Sequence, residues 1–302
     1  MHTKDQKFVS SIKRRELGAE LRRIRERAGF RVATMAFKLN WAHSSVSRLE
    51  EGITKTKEGR VGSYLGWAKA TTAEFDRLVA LDRQPDDGYL ARPHPAGCPD
   101  GLLVVSLLDT ESDSFSTYDP RDIPRHLQIE PYIRTVLSKL RYQDGPALDA
   151  AVRDRLDRQP SWTRRHGPFI FYVPETALPA DLAVTHEQLV HLSILSSLPH
   201  CHVRLVPAGA STAELSTGFT LYRHDEHPPV LHLQSPTASL FLERQVDIAF
   251  YESQLERLTE LALSRQETRE WFTSKLADIE RHLEHDQPLL PGCDEASREA
   301  RA

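Results

Sequence analysis

The stretch Phe30–Gly52, FRVATMAFKLNWAHSSVSRLEEG, decides the fold of the first third of the chain. Val32, Met35, Ala36 and Leu39 fall at i, i+3, i+4 and i+7, the spacing of one helix face. Asn40-Trp41 interrupts that pattern, and Asn is one of the few non-glycine residues that tolerates the left-handed backbone of a tight turn. A second short helix follows over 42–51, with Val46 and Leu49 inward and His43, Ser44, Ser45, Ser47 and Arg48 on its polar side, and Gly52 ends it. Two short helices, a tight turn and a hydrogen-bonding outer face on the second helix make the layout of a helix-turn-helix.

Working outward, Ser11 can cap a helix running to Ala28 with Leu17, Leu21 and Ile24 at helical spacing, and Gly29 stops it. On the other side a basic loop leads to a fourth helix over 58–68. A fifth starts near Thr72, with Phe75, Leu78, Val79 and Leu81 as its apolar side. This predicts an all-α head over residues 11–84. Residues 85–101 hold four prolines and three glycines, which neither a helix nor an inner strand tolerates, so they are expected to be a linker. Beyond it the texture changes. LLVVSLL (102–108), FIFYV (169–173), HVRLVP (202–207), FTLYR (219–223), VLHLQ (230–234) and SLFLE (239–243) have strand length and composition. Helical patterns lie between and after them, at 131–140, 148–158 and 182–198, and then along a long charged stretch. The expectation is a multidomain chain, with an α/β or α+β body over 102–283 and a disordered tail over 284–302.

The formal net charge of −4 conceals an asymmetry. Residues 1–84 carry 18 Lys and Arg against 10 Asp and Glu, a net +8, while residues 85–302 carry 21 against 33, a net −12. A basic head on an acidic body suits a module for polyanions joined to one that avoids them. Three cysteines far apart (Cys98, Cys201, Cys293) argue against a disulfide scaffold, and no apolar run is long enough to span a bilayer. A cytoplasmic protein without a membrane partner is expected.

SSVSRLEEG resembles the Cro/repressor-type (XRE) helix-turn-helix family, in which a polar recognition helix runs into [SR]-[LI]-E-x-G; Ala28-Gly29-Phe30 stands where that family has A-G-L. The resemblance implies a lambda-repressor-like head that binds double-stranded DNA, with Arg25 and Glu50 pairing the first helix to the third. The body is similar to the uncharacterised α/β domain that follows the helix-turn-helix in a group of actinomycete regulators. IPRHLQIEPYIRTVL, VPETAL (173–178), HEQLVHL (186–192), VRLVP (203–207) and LTELALSRQETREWFTSKLADI carry that likeness. Arg125-His126, Ile129 and Gln234 depart from it, replacing Gly-Leu, Thr and Glu. This second resemblance implies an antitoxin-like regulator working with a small partner protein.

The N-terminal end of a recognition helix enters the major groove, so His43, Ser44, Ser47 and Arg48 are the candidate base readers. Arg48 can pair bidentately with guanine, or form an ion pair with Glu51; His43 can read a base, or merely cap and pack. Ser45, Lys55 and Lys57 are placed for phosphate, and Arg31 can take the phosphate contact that the family makes with Gln, whereas Val32 cannot. Glu51 sits beside the expected DNA backbone. A homodimer is expected, with the body serving dimerisation, an effector or a partner protein. The rival is an interaction module whose head has weak or lost DNA binding. No enzyme motif appears, no cofactor is implied, and His200, His202, His224 and His227 lack a metal-ligand spacing.

Overall fold

The computed structural model describes residues 10–54, 59–94, 102–139, 145–159, 162, 167–210 and 215–285. The head is five helices: α1 Ile12–Arg27, α2 Val32–Leu39, α3 His43–Glu50, α4 Arg60–Trp67 and α5 Thr72–Arg83. Their ends are chemically specified. The Ser11 hydroxyl accepts the Arg14 N–H, and Thr71 and Glu74 form a reciprocal capping box at the start of α5. Asn40 adopts the left-handed conformation (φ 52°, ψ 45°) that turns α2 into α3.

The body is a seven-stranded mixed sheet in the order β1-β7-β6-β5-β2-β3-β4. The strands are β1 Tyr89–Pro93, β2 Ser114–Tyr118, β3 Phe169–Pro174, β4 Cys201–Val206, β5 Phe219–Arg223, β6 Val230–Gln234 and β7 Ala238–Leu242. β2, β3 and β4 run parallel, while β5, β6, β7 and β1 continue antiparallel from the other side of β2. Strand alternation sorts the side chains between two cores. Phe115, Phe169, Phe171, Val173, Val203 and Tyr222 enter a large core that also takes in the head's apolar residues. Tyr118, Tyr172, Phe219, Leu221 and Leu231 face the opposite way, against Ile248, Leu255 and Leu258 of α10 (Gln245–Leu261). The crossover helices are α7 Glu130–Lys139 and α8 Pro146–Arg158 between β2 and β3, then α9 Leu182–Ser196 between β3 and β4. α11 (Arg265–His285) packs on α9 and β4.

Three expectations change. LLVVSLL is not a strand: Leu103–Glu111 forms α6, with Val104, Val105 and Leu108 buried on one helical face. A short apolar run fits either period, and here contact with α1 settles it. The 85–101 segment is not wholly a linker, because β1 pairs antiparallel with β7 from Tyr89↔Leu242 to Pro93↔Ala238. Proline forbids an inner strand but not the last position of an edge strand, where no ladder donor is lost. Residues 95–101 lie outside the described residues. In the tail, α11 continues to His285, and 286–302 also lie outside them.

Head and body are fastened together by polar contacts. Arg15 Nη2 meets Glu111 Oε2 at 2.7 Å, and Arg92 Nε donates to both oxygens of Glu16 at 2.9 and 2.8 Å. The Ile12 N–H donates to Glu243 Oε1 at 2.9 Å. Burial, reinforced by nearby Asp86, pushes the Glu243 carboxyl up from 4.5 to about 7, against the pull of the Ile12 amide and of Arg14 and Arg15. The native protein therefore holds this proton between about pH 4.5 and 7 where the unfolded chain has lost it. Stability should fall as pH rises through that window and level off above it, by an amount on the order of 3 kcal/mol at most. Denaturant melts from pH 4.5 to 8 should show this slope in the wild type and a flatter one in Glu243→Gln; parallel curves would exclude it.

Candidate nucleic-acid interface

The recognition-helix candidate, α3, is held from below by a buried polar knot. Arg25 Nε and Nη2 donate to Glu50 Oε1 and Oε2 at 2.7 and 2.8 Å, and the Tyr64 hydroxyl donates to Glu50 Oε1 at 2.6 Å. Arg25 Nη1 also donates to the Phe30 carbonyl at 2.7 Å, so one guanidinium fixes the end of α1, the entry to α2 and the last turn of α3. Burial and the Glu50 carboxylate push the Tyr64 phenol well above its usual range. Glu50 thus faces inward, away from any phosphate.

Glycines allow α1 and α3 to touch through their backbones. A Cβ on Gly18 would strike the Glu50 carbonyl, lying 2.7 Å from its carbon and 2.8 Å from the Leu49 oxygen. Gly52, at φ +69°, brings the chain after α3 against the Arg14–Arg15 peptide, and the Ser10 hydroxyl donates to its carbonyl at 2.7 Å. Sequence reasoning saw Gly52 as a helix stop and missed Gly18, which looks like an ordinary mid-helix glycine.

Above this base, Val46 and Leu49 are buried while His43, Ser44 and Arg48 are exposed and Ser45 and Ser47 half-buried. Ser44 and Arg48 stand four residues apart, as do His43 and Ser47, so each pair shares a helix side. Arg48 forms no ion pair with Glu51, which is itself exposed. Arg31 is the exposed N-cap residue of α2 with no capping hydrogen bond from its side chain, and Val32 packs inward. Lys55 and Lys57 lie outside the described residues. Two cations the sequence did not single out flank the motif: Arg60 stacks over the Trp41 ring at 4.3 Å, and Lys38 lies over the Trp67 ring at 4.8 Å. These stacks brace the turn between α2 and α3 against α4.

The histidines of the body do not converge on a cation. The His224 and His227 rings lie 4.5 Å apart, tilted by 35°, and His202 Nε2 lies 3.2 Å from the Pro199 carbonyl. Among the described residues no three His, Cys, Asp or Glu side chains gather as a metal site needs, and no helix is long and apolar enough to cross a membrane.

With this geometry in view, the class of the head is a helix-turn-helix domain, and residues 16–78 match the family of that description. Residues 104–274 match the family described as "Domain of unknown function (DUF5753)", and since they are more than half of the chain, the protein belongs to that family. Together the two domains give the architecture of an XRE-like regulator. Comparison with curated proteins and with solved structures finds no match.

The glycine contacts give a paired test. Gly18→Ala should lower the melting temperature by several degrees, because forcing a methyl into backbone costs about 1–3 kcal/mol. Gly66 is also helical but has nothing within 4 Å of its missing Cβ, so Gly66→Ala should be neutral or stabilising by up to about 1 kcal/mol. Thermal unfolding of both variants checks the packing; equal effects would remove Gly18 as the contact point.

Proposed function

We propose that this protein is a sequence-specific DNA-binding transcriptional regulator, reading the major groove with α3 and serving no enzymatic role. The observation that carries the reading is the division of α3. Its inner side is locked by Arg25, Glu50 and Tyr64, while His43, Ser44 and Arg48 project without an ion pair to Glu51. Rigid support beneath exposed hydrogen-bonding groups is what base readout requires, since phosphate contacts fix register and base-edge contacts specify. The net +8 of residues 1–84 supports approach to DNA, and the −12 of the remainder discourages contact elsewhere.

In this reading Arg48 contacts a guanine edge, Ser44 and Ser47 read neighbouring groups, and Arg31 and Ser45 meet phosphate. The protein acts as a homodimer, because one head of this size buries too little DNA for tight specific binding. Two heads joined through their bodies gain effective concentration on a two-fold site.

The test is binding of the full chain to DNA from its own upstream region. Affinity should weaken steeply with salt, by roughly 0.9 counterion for each phosphate neutralised. Arg48→Ala should leave the melting temperature nearly unchanged and lower discrimination at one base pair by about 1–3 kcal/mol. Binding indifferent to salt, or a variant that keeps full selectivity, would favour the rival in which the head is a protein-interaction module.

A further inference from the structure

The body holds a polar cavity that the DNA-reading role leaves unused. It encloses about 430 Å3, within the range of small-molecule sites, at the carboxyl end of β2. β2 is where the sheet changes character: β3 pairs with it in parallel and β5 antiparallel. The chain leaving β2 turns towards α7, while β5 and β6 flank the opposite side, so a crevice opens there. Open α/β sheets place ligands at such switch points.

The floor of the cavity departs from the surrounding core. Thr117, Thr220 and His232 stand side by side in register on β2, β5 and β6, all buried, on the sheet side that elsewhere carries Phe115, Phe169 and Tyr222. The two threonine hydroxyls hydrogen-bond at 2.9 Å. Beside this row, buried Arg155 donates to the Gln128 side chain at 2.8 Å. His232 Nε2 in turn lies 2.9 Å from Ser239 Oγ, so the row is internally hydrogen-bonded and presents a braced polar floor to an occupant of the cavity.

The rim adds charge of both signs. Arg121 and Lys139 are exposed at its mouth. Asp119 and Asp122 also line it, Asp119 Oδ1 accepting the Arg121 and Asp122 amides at 2.9 and 3.2 Å. The other charge on the wall, Arg125, is held by Asp109 at 2.8 Å. Cations suit an anionic group, and carboxylates with threonines suit hydroxyls.

We propose that this cavity binds a small anionic polyol, of the sugar-phosphate or sugar-acid class, with Arg121, Lys139 and Arg155 on the anion and Asp119, Asp122, Thr117 and Thr220 on the hydroxyls. The proposal goes beyond the DNA-reading role and rests on it only for its biological use. Binding itself is measured without DNA.

Isothermal titration of the full chain with ribose 5-phosphate and with gluconate, at physiological salt, tests it. At least one probe should bind one-to-one with Kd below about 1 mM, and ribose and inorganic phosphate should bind at least about tenfold more weakly. The double variant Arg121→Ala/Lys139→Ala, made on exposed side chains, should melt as the wild type does and lose affinity about tenfold or more. Asp122→Asn should also weaken binding. Failure of both probes to saturate, full affinity in the double variant, or inorganic phosphate binding as tightly as ribose 5-phosphate would each overturn the proposal. Loss of operator binding with probe binding intact would instead remove the regulator reading and leave the site standing.

Discussion

The structure depends on finding a partner for every charge buried along α1. Lys13, Arg15, Glu16, Glu20 and Arg25 are all buried on one sixteen-residue helix. Lys13 reaches the Asp82 and Gln84 carbonyls, Arg15 reaches Glu111, Glu16 takes Arg92, Glu20 takes Arg23 and Arg77, and Arg25 takes Glu50. Buried ions contribute little net stability once desolvation is counted, but leaving one without its partner costs several kcal/mol. The constraint is therefore one of specificity. The placement of α3, α5, α6 and β1 around α1 gives each of the five a partner, and it joins head to body.

A second buried carboxylate plays the corresponding part inside the body. Asp109 on α6 accepts from Arg125 Nη2 at 2.9 and 2.8 Å and from the Tyr222 hydroxyl at 2.7 Å, with His126 Nε2 at 3.0 Å. Burial alone would raise its pKa, yet Arg125 and His126 hold it well below the usual carboxylate range. Arg125-His126 is one of the places where the sequence departs from the family pattern it resembles, and both residues turn to the same buried acid. The His126 ring also stacks on Phe115 at 4.9 Å, so it joins the buried acid to the apolar core.

The head was readable because its signals are local: turn residue, helix period and caps all lie within a few positions of what they control. In the body, β3 to β7 were readable as apolar or alternating runs, whereas β2 was not. SFSTY carries four hydroxyl residues in five, yet Ser116 and Thr117 are buried because β2 has neighbours on both edges and cover on both faces. A central strand normally announces itself by hydrophobicity. This one carries Thr117 into the lining of the cavity, and the polarity of its residues hid it in the sequence, as the prolines around β1 hid that strand. The opposite error at α6 has the same root, since the tertiary partner α1 is not visible in a window of seven residues.

Fastening the head to the body changes what the body can do for DNA binding. Had residues 85–101 been a flexible tether, two heads in an assembly would sample many separations, and their effective concentration would depend on tether length. β1 instead stitches the segment after α5 into the sheet edge, with Arg92 tied back to Glu16 on α1. α6 carries Asp109 towards the sheet and Glu111 towards Arg15, so the same short helix meets both halves. In the proposed homodimer, the separation and tilt of the two heads would follow from how the bodies associate, rather than from chain entropy. Under the proposed function, such a pair of heads would fit only operators whose half-site spacing matches the spacing set by the bodies.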